Sequence, residues 1–142
     1  MDVPFQALTN HGDRVEDLCR VWLEPCATEE AILDGFERMS ERAFEALSAL
    51  LGDEGARAAI GHALKRTKSR FPCLKGAIIR PGGVDTSRMR RKPAGVSEVR
   101  HALKAWLFDF LAVLEMLGGV PLVDYLVGHL RTRNDAGPQP ER

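Results

Sequence analysis

The sequence predicts an all-α protein, a bundle of about five helices. Three observations carry that expectation. Apolar residues recur at steps of three and four through most of the 142 residues, caps and glycines punctuate those runs at helical lengths, and the one stretch rich in Pro and Gly is confined to roughly 72–96. A chain of this length is expected to form one domain over 1–131, followed by a disordered polar tail over 132–142.

Taken in order, Asp13 reads as an N-cap, with Glu16 and Asp17 in the first turn where the helix dipole favours acids. Val15, Leu18, Cys19 and Trp22 then give a short amphipathic helix that ends before Pro25. Thr28 caps a second and longer helix, whose apolar series Ile32, Phe36, Met39, Ala43, Leu47 and Leu50 runs until Gly52 stops it. Asp53 caps a third, with a small-residue face of Ala56, Ala59, Ile60, Ala63 and Leu64 that permits close approach to a neighbour and frays near Phe71-Pro72.

The connection over 72–96 contains Pro72, Pro81, Gly82, Gly83, Pro93 and Gly95, so it cannot be one regular element. Ile78, Ile79 and Val84 around Pro81-Gly82-Gly83 fit a short hairpin. Ser97 caps the next helix, in which Val99, Leu103, Trp106, Phe110, Val113 and Leu117 form a seam beside a second stripe of Leu107, Leu111 and Leu114. Such a helix belongs at the centre of the bundle or at a homodimer interface. Gly118-Gly119 breaks it, Pro121 suits the first turn of a last helix, and Leu122, Leu126 and Leu130 carry that helix inward.

The two halves echo each other. Phe44, Leu47, Leu50, Leu51 and Gly52 match Phe110, Val113, Met116, Leu117 and Gly118 at identical spacing, and with a one-residue gap Gly61-His62 meets Gly128-His129. Read literally, this is a duplicated helical hairpin with an added N-terminal helix.

Composition bounds the function class. The longest apolar stretch, around Trp106 to Leu117, is interrupted by Asp109 and Glu115, and the N-terminus lacks a secretory pattern, so a cytoplasmic protein without a membrane partner is expected. Cys19, Cys26 and Cys73 lack both the pairing of a disulfide framework and the spacing of a zinc site. No metal or other cofactor is expected. The formal net charge of zero hides a segregation: residues 1–64 hold 13 acids and 5 bases, 65–92 hold 1 acid and 10 bases, and 93–142 hold 6 acids and 5 bases. Clustered charge creates a local field that scattered charge does not.

The candidate partner- or phosphate-binding residues are therefore Lys65, Arg66, Lys68 and Arg70 at a helix end, Lys75 and Arg80 in the connection, and Arg88, Arg90, Arg91 and Lys92 beyond it. Arginine outnumbers lysine, as suits bidentate contact with carboxylates or phosphates. The expected function is a non-enzymatic interaction or regulatory module that docks an acidic protein surface, or a second copy as a homodimer. The alternative is a nucleic-acid-binding accessory protein using the same residues, although only Phe71 interleaves with them and a stacking platform is missing.

Two local motifs imply chemistry. His62-Ala63-Leu64-Lys65 and His101-Ala102-Leu103-Lys104 resemble the HxLK core of histidine phosphotransfer domains, with Arg66 and Ala105 standing where that family has Gly. The resemblance implies a phosphoryl-accepting His62 or His101. Arg57 and His62 resemble the Rx4H pair of HEPN ribonucleases, which implies action on RNA phosphodiesters, with Ala58 where that family usually has a polar residue.

Overall fold

The computed structural model describes residues 3–131, with side chains from His11 onward. It is mostly helical, an all-α fold with one small hairpin. Helix α1 spans Val3–Trp22 and α2 spans Glu29–Lys68; a 3-10 turn follows at Pro72–Leu74. Strands β1 (Ile78–Arg80) and β2 (Gly83–Asp85), the single turn α3 (Ser87–Arg90) and α4 (Val96–Leu130) complete the order. The expected tail over 132–142 lies outside the described residues.

Counted as continuous elements, the described residues hold four helices rather than five: α2 and α4 each run through a glycine without an intervening loop, which joins four of the expected helices into two, and the single turn α3 is an addition. Gly52 has φ 82°, ψ 167° and Gly119 has φ 75°, ψ −174°. Both lie in a region essentially reserved for glycine, so each helix turns a corner there. We divide α2 into arms 29–51 and 53–68, and α4 into arms 96–118 and 120–130.

Side-chain contacts fix how the arms run. On α1, His11 meets Glu115 and Glu16 meets Lys104, so α1 is antiparallel to the first arm of α4. Arg14 pairs with Asp124 and the Trp22 indole donates to the Leu130 carbonyl at 2.8 Å, so α1 is parallel to the second arm. The arms of α4 therefore fold back on each other at Gly119. Just ahead of α2 the Cys26 carbonyl accepts from Arg100, and within α2 Phe36 packs edge-on to Trp106, making the first arm parallel to the first arm of α4. Thr67 bonds Asp109 and Phe71 packs edge-on to His101, making the second arm antiparallel to it. Thus α2 also doubles back, and both corners lie at the same end of the molecule.

A second steric rule shapes each corner. A Cβ on Gly55 would lie 2.8 Å from the Leu51 Cβ, and a Cβ on Gly118 would lie 2.8 Å from the Leu122 Cβ. Relative to Gly52 and Gly119 these are the same two positions, one before the corner and three after it. Contact across the corner leaves room for one side chain, and the glycine stands on opposite sides in the two hairpins. The echo thus pairs Gly52 with Gly119 rather than with Gly118, which places its one-residue gap immediately before the corner.

The core is continuous through the arms. Trp106, fully buried, stacks on Phe110 with ring centroids 4.7 Å apart, and Trp22, Phe36, Leu107, Leu111 and Leu114 are buried around it. The apolar first arm of α4 is consequently covered by its own chain. By length and composition α4 would suffice to cross a membrane, its most apolar window having a mean hydropathy of 1.8; here it bends in two at Gly119 and buries its seam against α1 and α2.

Four local expectations change. Asp13 lies inside α1, which begins at Val3, ten residues earlier, with Pro4 in the first turn where its missing N–H costs nothing. Ser97 lies inside α4, whose N-cap is Gly95. The Glu29 carboxylate instead fixes the chain just ahead of the helix, accepting from the Ala94 and Gly95 N–H groups at 3.1 and 2.9 Å. Leu50 and Leu117, read as core, are 55% and 58% exposed, since the last turn before each corner projects past its neighbours. Thr28 does cap α2, its hydroxyl accepting from the Ala31 N–H at 3.1 Å.

Candidate functional site

An acidic stripe along the first arm of α2 organises the basic connection. Glu30, Asp34, Glu37 and Glu41 fall at helical spacing on one face, with Glu29 beside them in the first turn. Arg90 reaches Glu30 at 3.2 Å, Asp34 at 2.8 Å and Glu37 at 3.7 Å, and Arg80 reaches Glu41 at 2.9 Å. The Glu37 carboxylate also accepts from the Thr86 N–H and hydroxyl, while the Ser40 hydroxyl accepts from the Val84 N–H. Through these contacts the hairpin is laid across α2 with Ile79 and Val84 paired in register.

Part of the basic segment is therefore structural. Arg80 and Arg90 serve the acidic stripe, and Arg70, at the far end of α2, pairs with the buried Asp109 at 3.2 Å beside the Thr67 hydroxyl. These three arginines supply much of the arginine excess in the sequence, and their guanidinium groups already have carboxylate partners. Sequence spacing did not separate them from the rest, because their partners lie 39 to 60 residues away.

The remaining bases include a cluster that the fold assembles. Lys75, Arg88 and Lys92 line a cleft of about 450 Å³ with Pro72, Cys73, Gly76 and Met89. Lys68 stands beside Arg88: burial lowers its pKa from the ordinary lysine value, and the Arg88 charge lowers it further. Lys68, Lys75, Arg88 and Lys92 come from a helix end, a 3-10 cap and the α3 turn, and neither Lys75 nor Lys92 forms an ion pair among the described residues. Asp85, whose charge interacts with Arg88, is committed to the Ser87 hydroxyl and N–H at 2.6 and 2.8 Å.

What joins the two sequence clusters is a close backbone approach. A Cβ on Gly76 would lie 2.8 Å from the Met89 amide nitrogen and 3.0 Å from the Arg88 Cβ. Met89 is buried and anchors the turn, while Arg88 and Lys92 on its flanks point outward. Lys65, Arg66 and Arg91 are exposed outside the cleft. Cys73, half-buried in its wall, has its pKa raised by burial and, secondarily, by the Glu98 charge, so its thiol stays protonated near neutrality.

The two motif histidines occupy different settings. Arg57 and His62 line one open groove with Glu54, Ala58, Gly61, Lys65 and Ile79. His101 is exposed against Phe71, and the lysine one turn beyond it, Lys104, is engaged by Glu16. Among the described residues, no group of three His, Cys, Asp or Glu is arranged to hold a metal ion. Comparison with protein-family models, with curated proteins and with solved structures returns no match.

Proposed function

We propose that the chain is a non-enzymatic interaction module whose cationic cleft docks a carboxylate-rich segment of a partner protein. The observation that supports this most is the convergence of Lys68, Lys75, Arg88 and Lys92, which sequence order separates, around one cleft. Like charges held together repel one another, and a bound anion removes that cost. Three of the four are lysines, compact charges without the planar fork of arginine, so recognition here rests on field strength more than on bidentate geometry. The cleft also offers no aromatic ring for base stacking, Phe71 being turned to His101, which favours carboxylates over single-stranded nucleic acid.

In the same reading, residues 1–131 form one domain: a five-rod bundle in which two duplicated hairpins, folded at Gly52 and Gly119, pack with α1. The cleft lies at the end opposite those corners, on a surface held by the acidic stripe.

Fluorescence anisotropy with a labelled Glu-rich peptide, and in parallel a labelled duplex DNA and a single-stranded RNA, tests the proposal. The peptide is expected to bind, with affinity falling as salt rises. Preferential binding of either nucleic acid, with a steeper salt dependence set by counterion release, would replace the acidic partner with a phosphate backbone.

A further inference from the structure

The opposite end of the bundle has a different character. Leu50 and Leu51 precede the corner at Gly52, and Met116, Leu117 and Val120 surround the corner at Gly119; their exposures are 55%, 38%, 76%, 58% and 37%. The two groups are neighbours. Tyr125 donates to the Ala46 carbonyl and Arg42 to the His129 carbonyl, an antiparallel register that, continued by one turn, sets Leu50 opposite Pro121 and Leu51 opposite Val120. Five large apolar side chains thus crown one end of the molecule, where scattered single exposures would need no explanation.

Charge selects the occupant. Asp53 and Glu54, exposed in the turn after Gly52, border the apolar crown without an ion pair among the described residues. Glu115, next to Met116 on the α4 side, adds a third, partly exposed carboxylate, one oxygen of which faces His11 at 3.0 Å. Two copies meeting crown to crown about a two-fold axis would bring these carboxylates together, an arrangement that like-charge repulsion opposes. A helix with an apolar stripe flanked by lysines satisfies both features, laying its apolar face over the crown and its charges on the rim.

We infer that the end of the bundle formed by the Gly52 and Gly119 corners is a second docking surface, fitted to a cationic amphipathic helix of a partner protein. Combined with a cationic cleft at the other end, this makes the chain a two-ended adaptor, although the inference at the corners stands without the cleft.

The test uses the full chain and a labelled model helix of about 18 residues with a leucine stripe and lysine flanks, alongside a counterpart with glutamate flanks. The lysine helix is expected to bind and the glutamate helix to bind at least tenfold more weakly. Met116→Gln with Leu50→Gln, at positions too exposed to disturb the core, is expected to weaken the lysine helix about tenfold or more. Asp53→Asn with Glu54→Gln is expected to weaken it and to flatten its salt dependence, while Lys75→Gln leaves it unchanged. Equal binding of the two helices, no binding of the lysine helix, or full affinity in the Met116/Leu50 variant would overturn the inference. So would sedimentation showing a dimer of the free chain that Met116→Gln dissociates, since the crown would then be occupied by a second copy.

Discussion

Gly76 and Met89 touch through their backbones: a Cβ on Gly76 would come within 2.8 Å of the Met89 amide nitrogen. This contact turns two basic stretches that are distant in sequence into one cleft, by seating the α3 turn on the segment that carries Lys75. Gly76→Ala forces that seat apart. Overpacking at such a contact costs about 1–3 kcal/mol, so urea denaturation is expected to show a loss of that size. The same variant is expected to bind the Glu-rich peptide more weakly with every base still present. Retained stability together with retained affinity would show that the contact does not organise the cleft.

Arg88 and Arg90, two residues apart, are expected to separate binding from stability. Arg90 is only 25% exposed and answers three carboxylates and the Thr86 hydroxyl, so Arg90→Ala is predicted to cost about 1–2 kcal/mol while leaving anion affinity near wild type. Arg88→Ala is predicted to do the reverse. Parallel denaturation and anisotropy measurements check both; a loss of affinity confined to Arg90→Ala would place the site on the acidic stripe instead.

The corners predict an exchange. Gly119→Ala imposes a side chain at φ 75°, and roughly 1–3 kcal/mol of destabilisation is expected by thermal denaturation. Gly55→Leu is expected to be more damaging, because Leu51 already fills the space across the corner. Adding Leu51→Gly to Gly55→Leu reproduces the arrangement at Gly118 and Leu122, so the double variant should recover part of the stability lost by the single one. Strict additivity of the two changes would show that the corners are not equivalent.

His11 predicts a pH dependence. It is buried against Glu115, and desolvation holds its pKa below the ordinary 6.5, outweighing the opposing pull of the Glu115 carboxylate; Arg14 adds to the lowering. Below that value the unfolded chain takes up a proton that the folded chain resists, so stability is full above about pH 6.5 and falls as the pH drops toward the folded pKa. Unfolding midpoints between pH 7.5 and 5.5 are expected to decline in the wild type and to decline less in His11→Gln. Identical slopes would remove His11 as the source.

The legibility of the chain divided along the range of the interactions. Thr28 as a cap, Gly52 as a corner and the hairpin around Pro81-Gly82-Gly83 were readable because each depends on residues a few positions apart. The onset of α1 was not, since Asp13 is a good cap that nevertheless continues a helix begun at Val3. The same limit applied to the site. The ten bases were evident, but which of them are consumed depended on partners such as Glu41, Asp34 and Asp109, tens of residues away. Leu50 and Leu117 of the apolar crown were misread as core because period alone does not show where a neighbouring helix ends; their exposed last turns follow from the corners beside them.

The most direct measurement is the affinity of the Glu-rich peptide for the triple variant Lys75→Gln/Arg88→Gln/Lys92→Gln, compared with Lys65→Gln/Arg66→Gln/Arg91→Gln, which removes an equal number of positive charges outside the cleft. The cleft variant is predicted to lose about tenfold or more in affinity, and the control to lose only a small factor. Equal losses in the two would show that the peptide responds to overall charge, and would contradict a cleft built to receive it.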